Sequence, residues 1–90
     1  MATLHIRPDV VYREVDGVVV AFSLDSGEYV SLDDIGTDIW RLIEKDGRIE
    51  QVRAAMLSAY DIDAATCDEE LGSFITMLQA RGLVNVDRKD

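Results

Sequence analysis

The clearest regularity in the chain is an alternation. Between Val18 and Leu24, Val18, Val20, Phe22 and Leu24 fall on one face of an extended segment, and Val19, Ala21 and Ser23 fall on the other. A β-rich run, Val10 to Val15, precedes it across Asp16-Gly17, a pair that favours a tight hairpin. Asp25-Ser26-Gly27 supplies a second turn, and Glu28 to Leu32 forms a short third strand. Turns this short join antiparallel neighbours, so the three strands form a meander.

The period then changes. Ile35, Ile39, Leu42 and Ile43 recur at helical spacing and share one face. Asp33 is placed to cap this helix, because its carboxylate can accept an N–H of the first turn and suits the positive helix end. The helix spans 34–45, with Gly47 as its stop. Ile35, Ile39, Trp40, Leu42 and Ile43 are assigned to the core. A second helix spans 49–60 with Ile49, Val52, Met56, Leu57 and Tyr60 as its apolar stripe. After the connection Asp61-Ile62-Asp63, a third helix begins either after Asp63 or after Thr66, where Thr66-Cys67-Asp68-Glu69 reads as a capping box. Its core face is Leu71, Phe74, Ile75 and Leu78, and Gly82 is suited to end it just past Arg81. Leu83 to Val86 is a short extended tail. Residues 1–8, with Pro8 as a strand boundary, and residues 87–90 are expected to fray.

Three strands followed by three helices must bury the sheet against the helices, which gives a two-layer α+β domain. The second and third helices, beside a sheet, have the look of a winged helix-turn-helix. Ninety residues make one domain, 1–90, and 48% hydrophobic residues suffice for a core without staples. A single cysteine excludes an intramolecular disulfide and a cysteine-rich metal site. No signal-peptide pattern or membrane-length apolar run is present, so a cytoplasmic location and no membrane partner are expected.

Charge narrows the function. The chain carries a net charge of −9, and its nine cations are scattered. Nucleic-acid binding draws most of its affinity from Lys and Arg neutralising phosphates, so this balance opposes it. The third helix, the one that would enter a DNA groove, opens on Asp68, Glu69 and Glu70 and has Arg81 as its only cation. Catalysis has little to work with: His5, the single histidine, lies far along the chain from Cys67, and nothing orients one toward the other. Asp61-Ile62-Asp63 resembles the opening of a calcium loop, but Ala65, Thr66 and Gly72 occupy later positions where ligands and the turn glycine belong. No catalytic residue, cofactor or metal is assigned.

Peptide binding fits better. The third strand is an edge of the meander and offers unpaired N–H and C=O groups. Glu28, Val30 and Leu32 project to one face, Tyr29 and Ser31 to the other. On the third helix, Met77 lies beside the core stripe, flanked by Glu70, Ser73, Phe74 and Arg81. An extended peptide could add a strand to the edge and place side chains against that helix; a flexible Met suits adaptable contacts. On this reading a proline at Val30 would remove a ladder donor. A free edge can also self-pair, so a homodimer is compatible with it.

The run Val19-Val20-Ala21-Phe22-Ser23-Leu24-Asp25-Ser26-Gly27-Glu28-Tyr29-Val30-Ser31-Leu32-Asp33, then Gly36, Ile39-Trp40 and Leu42, and the ending Leu78-Gln79-Ala80-Arg81-Gly82-Leu83-Val84, resemble the PqqD-like family over about residues 10–86. Asp33 stands where members of the PQQ route usually have Asn. The resemblance implies a recognition element for ribosomally made, modified peptides. Such an element binds the leader segment of a precursor through the third strand and third helix, and presents it to modifying enzymes. Carried over by position, the binding residues are Glu28, Tyr29, Val30, Ser31 and Leu32, with Glu70, Ser73, Phe74, Met77 and Arg81 added from the helix. A short acidic member looks most like those of lasso-peptide clusters, whose partners are a leader protease and a cyclase. The alternatives are a PQQ-pathway peptide chaperone for a radical enzyme, a winged-helix DNA-binding regulator, and an adaptor that docks an enzyme without holding a peptide.

Overall fold

The computed structural model describes residues 2–88. Its strands are β1 (Ala2–Ile6), β2 (Val10–Val15), β3 (Val18–Ser23), β4 (Tyr29–Ser31) and β5 (Val84–Arg88); its helices are α1 (Asp34–Lys45), α2 (Ile49–Ala59) and α3 (Ala64–Ala80). The meander is present with order β2-β3-β4. Asp16 and Gly17 both take positive φ, 55° and 84°, as a two-residue turn matched to strand twist requires. The less bulky face of β3 is the inner one. Val19, Ala21 and Ser23 are buried, whereas Phe22 and Leu24 are exposed. Small side chains let α1 approach closely, and the buried Thr37 hydroxyl of α1 accepts the Val19 N–H at 2.9 Å.

The predicted Asp33 cap forms, and Asp63 caps α3 in the same way. Asp33 accepts from the Gly36 N–H and Asp63 from the Thr66 N–H, each at 2.7 Å, so α3 starts after Asp63 and not after Thr66. Helix α3 ends in a Schellman motif: Leu83 N–H bonds Leu78 C=O at 2.9 Å and Gly82 N–H bonds Gln79 C=O at 3.1 Å. Gly82, with φ 75°, provides the left-handed position. The core gathers Ile39, Trp40 and Ile43 of α1, Val52 and Met56 of α2, and Cys67, Leu71, Ile75 and Leu78 of α3. Trp40 is buried with Tyr12 edge-on to its ring at 5.2 Å. Among the described residues its Nε1 has no hydrogen-bond partner. That costs about 1–3 kcal/mol, less than the ~4–6 kcal/mol expected from removing an indole from water.

Three expectations need correction. Ile35, in the first turn of α1, is not core but 50% exposed at the edge of a cavity. Gly47 is not a left-handed helix stop: Asp46 is the C-cap, and no positive φ occurs at Gly47. Glycine is needed there because a Cβ would overlap the backbone carbonyl of Leu4, whose N–H bonds the Gly47 carbonyl at 2.7 Å. Third, neither end frays as expected within the described residues. Ala2–Ile6 pairs antiparallel with Val84–Arg88 in a second, two-stranded sheet, which places Thr3 opposite Asp87 and Leu4 opposite Val86. Leu4, Leu83 and Val84 are all buried, so this pairing closes the core beneath α1 and α2. Met1, Lys89 and Asp90 lie outside the described residues.

Candidate functional site

Strand β4 is the outer strand of its sheet. The ladder decides which of its groups are free. Ser23 N–H bonds the Glu28 carbonyl and Leu32 N–H bonds the Val19 carbonyl, both at 2.9 Å, and Val30 lies opposite Ala21. In an antiparallel pair the backbone groups of alternate residues point to opposite sides. Glu28, Val30 and Leu32 therefore bond inward to β3, and Tyr29 and Ser31 direct their N–H and C=O outward. This corrects one sequence expectation: a proline at Val30 would break the sheet itself. Leu32 is 4% exposed and its N–H is bonded to Val19. Side chains divide accordingly: Val30 leans on the core, while Tyr29 and Ser31 are exposed on the outer face.

β4 and α3 are tied together at both ends. At one end the Ser26 hydroxyl donates to the Arg81 carbonyl at 3.1 Å, with Gly82 packed beside Ser23 and Ser26. At the other, just past β4, Gly36 lies so close to Phe74 that an added Cβ would stand 3.1 Å from the ring. The segments on either side of β4 thus meet α3 at Phe74 and at Arg81, and Met77 lies between those two residues along the helix. Of the helix residues named from sequence, Phe74 and Met77 are partly buried against the core, and Glu70, Ser73 and Arg81 are exposed.

At the Phe74 end the groove opens into a cavity of about 260 Å³. Ile35, Ile39, Met56, Ile62, Leu71 and Phe74 make it apolar, and Asp33 and Glu70 stand at its wall. Tyr60 also lines it and donates its hydroxyl to Asp38. That bond, then burial and the nearby carboxylates, pushes the Tyr60 phenol above its usual range. Glu70 and Phe74 thus meet in one cavity, whereas Ser73, Met77 and Arg81 lie outside its lining. Sequence reasoning missed Ile35, Tyr60 and Ile62 as cavity residues. Ile62, an apolar residue between two aspartates in a connection, was the available signal.

The other chemistries have this geometry. His5 is exposed on β1 and Cys67 is buried on α3; they line different cavities. Among the described residues no three His, Cys, Asp or Glu side chains are grouped to hold a metal ion. The carboxylate of Asp63 is engaged by the Thr66 amide, which holds its pKa below the usual value. No helix among the described residues is long and apolar enough to cross a membrane.

The family model described as coenzyme PQQ synthesis protein D matches residues 18–84. The chain belongs to the PqqD family. Among solved structures, it is similar to TbiB1 in complex with the TbiA(beta) leader peptide, with 32% identity and a TM-score of 0.85 over 94% of this chain and 98% of that one. A second, lasso peptide synthetase B1 complexed with the leader peptide, shares 21% identity and supports the fold alone, with a TM-score of 0.77 over 92% of this chain and 98% of that one. No curated protein gave a match. The PqqD match begins at Val18 and ends at Val84, so it takes in β3, β4, all three helices and the first residue of β5, but not β1 or β2.

Proposed function

We propose that this PqqD-family chain binds the leader segment of a ribosomally made precursor peptide. The leader adds as a strand to the outward N–H and C=O groups of Tyr29 and Ser31. Its side chains pack on Val30, Phe74 and Met77, and one large apolar side chain enters the cavity between Ile35, Ile62 and Phe74. The observation that carries this reading is the unpaired edge of β4, held beside α3 at both ends and leading into an apolar cavity. Backbone pairing supplies affinity with little sequence demand, and the cavity supplies selectivity. Glu28, Glu70, Ser73 and Arg81 form the polar margin.

The likeness to TbiB1 in complex with a leader peptide supports the same reading, and we take the route to be the lasso-peptide one, in which the chain presents its peptide to a leader protease and a cyclase without itself catalysing a reaction. The family description alone would suit the PQQ route and a radical enzyme as partner. A DNA-binding role is disfavoured: Asp68, Glu69 and Glu70 are exposed at the start of α3, and Arg53 of α2 is paired to Asp68.

The test is a calorimetric titration of the cognate leader against Ser31→Pro. Proline removes an outward donor while leaving the β3–β4 ladder complete, and edge strands tolerate it. Binding is expected to fall at least about tenfold, as the loss of a hot-spot contact would produce, with Trp40 fluorescence and melting unchanged. Wild-type affinity in a folded Ser31→Pro protein would overturn strand addition.

A further inference from the structure

The outer face of the β2-β3-β4 sheet has a composition unlike the rest of the molecule. Register places Val11, Phe22 and Tyr29 side by side across the three strands, and beside them Arg13, Val20 and Ser31. Val11 is 58%, Phe22 38% and Tyr29 67% exposed. Single exposed apolar residues are ordinary, but an apolar row in register across a whole sheet marks a contact surface. The chain has 18 Asp and Glu residues, yet strand alternation puts none on this face. Glu14, the one acidic residue within β2, turns to the opposite side and pairs with Arg41 of α1. Arg13 is the only charge among the outward side chains of these strands, and among the described residues it forms no ion pair.

We propose that this face docks an enzyme that acts on the bound peptide, through an apolar surface carrying a carboxylate that meets Arg13. The inference rests on the leader-binding reading above and adds the place where the second partner sits. Two observations select this occupant. One is charge. A two-fold pairing of copies would bring two Arg13 side chains together without a carboxylate between them, and would join two chains of net charge −9. A different protein with an acidic group in an apolar surround meets neither objection. The other is continuity. Tyr29 and Ser31 give their side chains to this face and their outward backbone groups to the edge where the peptide adds. A peptide strand on that edge becomes the next strand of the same sheet, and half of its side chains extend the same face. A protein seated on Phe22 and Tyr29 is therefore in contact with the peptide it processes.

The test uses the intact chain, the leader peptide and the purified leader protease of its own pathway as the probe. Arg13→Glu and Val11→Lys change exposed side chains that have no part in the edge or the cavity. Interferometry against the immobilised protease should show affinity reduced about tenfold or more in each variant, in line with the loss of central interface residues. Titration with the leader alone should give wild-type affinity for both. Protease binding equal to wild type in both folded variants overturns the docking face, as does the absence of any protease binding by the wild-type chain. A wild-type dimer in sedimentation that Val11→Lys dissociates also overturns it, in favour of a second copy as occupant. Loss of leader binding in the wild type would instead defeat the leader reading, and the separate titration distinguishes that failure.

Discussion

The Ser26 hydroxyl donates to the backbone carbonyl of Arg81 at 3.1 Å and so joins the β3–β4 turn to the end of α3, 55 residues further along the chain. The same oxygen accepts the Glu28 N–H at 3.3 Å. One side chain thereby sets the entry of β4 and its distance from the helix beside it. Ser26→Ala removes both bonds at an exposed site, where a hydrogen bond contributes about 0.5–1.5 kcal/mol. Urea unfolding followed by Trp40 fluorescence should show a loss in that range. Leader affinity should fall by a larger factor than this small loss of stability would suggest, because the groove rather than the core is loosened. Equal affinity for both proteins would show that this tie does not shape the groove.

Gly36 controls the other end. A methyl group there would lie 3.1 Å from the Phe74 ring and from Asp33 Oδ1. The ring can turn away, since Phe74 is only partly buried. Alanine also favours the helix by up to about 1 kcal/mol over glycine. Gly36→Ala is therefore expected to change stability by less than about 1 kcal/mol while displacing Phe74 into the cavity. Calorimetry should report weaker leader binding and a near-normal melting temperature. A melting temperature lowered in proportion to affinity would instead mean that the Asp33 cap was lost.

Local regularities carried most of the fold. Alternation in Val18 to Leu24, the Asp16-Gly17 turn and the Asp33 and Asp63 caps each act within a few residues, so strands β2 to β4 and all three helices could be read directly. Three features depend on distant partners and could not. β1 and β5 are short runs that become strands only by pairing with each other across the length of the chain. Gly47 is explained only once Leu4 arrives against it. The inward face of β3 is the less apolar one, because α1 requires close approach there and Thr37 supplies a hydrogen bond. At the candidate site the edge strand was legible and its polarity was not. Alternation separates Tyr29 and Ser31 from Val30, but only the bonds of Glu28 and Leu32 to β3 reveal which set is free. The cavity was missed because Ile35 has a core residue's spacing and an end-of-helix position.

Thr37 tests the link between sheet and helix. Its hydroxyl accepts the buried Val19 N–H at 2.9 Å, and Thr37 is 1% exposed. Valine has nearly the same shape but leaves that N–H without a partner and away from water. Thr37→Val should cost about 1–3 kcal/mol. Thr37→Ser keeps the acceptor and should recover much of the loss, short of the methyl group's packing. Equal destabilisation by both would assign the effect to the methyl alone.

The loop that receives β1 should respond to acid. Asp46 accepts the Arg48 side chain at 2.7 and 3.0 Å and the Arg48 N–H at 3.2 Å. The side-chain bonds, then the backbone bond, hold its pKa down at about 2 against an ordinary 3.8. A carboxylate with a depressed folded pKa stabilises the folded state only while it is ionised. Its contribution is therefore complete above an ordinary carboxylate pKa of about 4 and is lost as pH falls toward 2. The carboxylate is open to solvent, so water and salt keep the effect small. Its location gives it a readout. Asp46 and Arg48 flank Gly47, which bonds Leu4, and Arg48 bridges to Thr3. Acid should thus loosen β1 before the meander. Amide exchange at Leu4, compared between wild type and Asp46→Asn from pH 5 to pH 2, should show the wild type better protected at pH 5 and the two converging at the acidic end. A constant difference across the range would mean that the carboxylate's charge does not hold this loop.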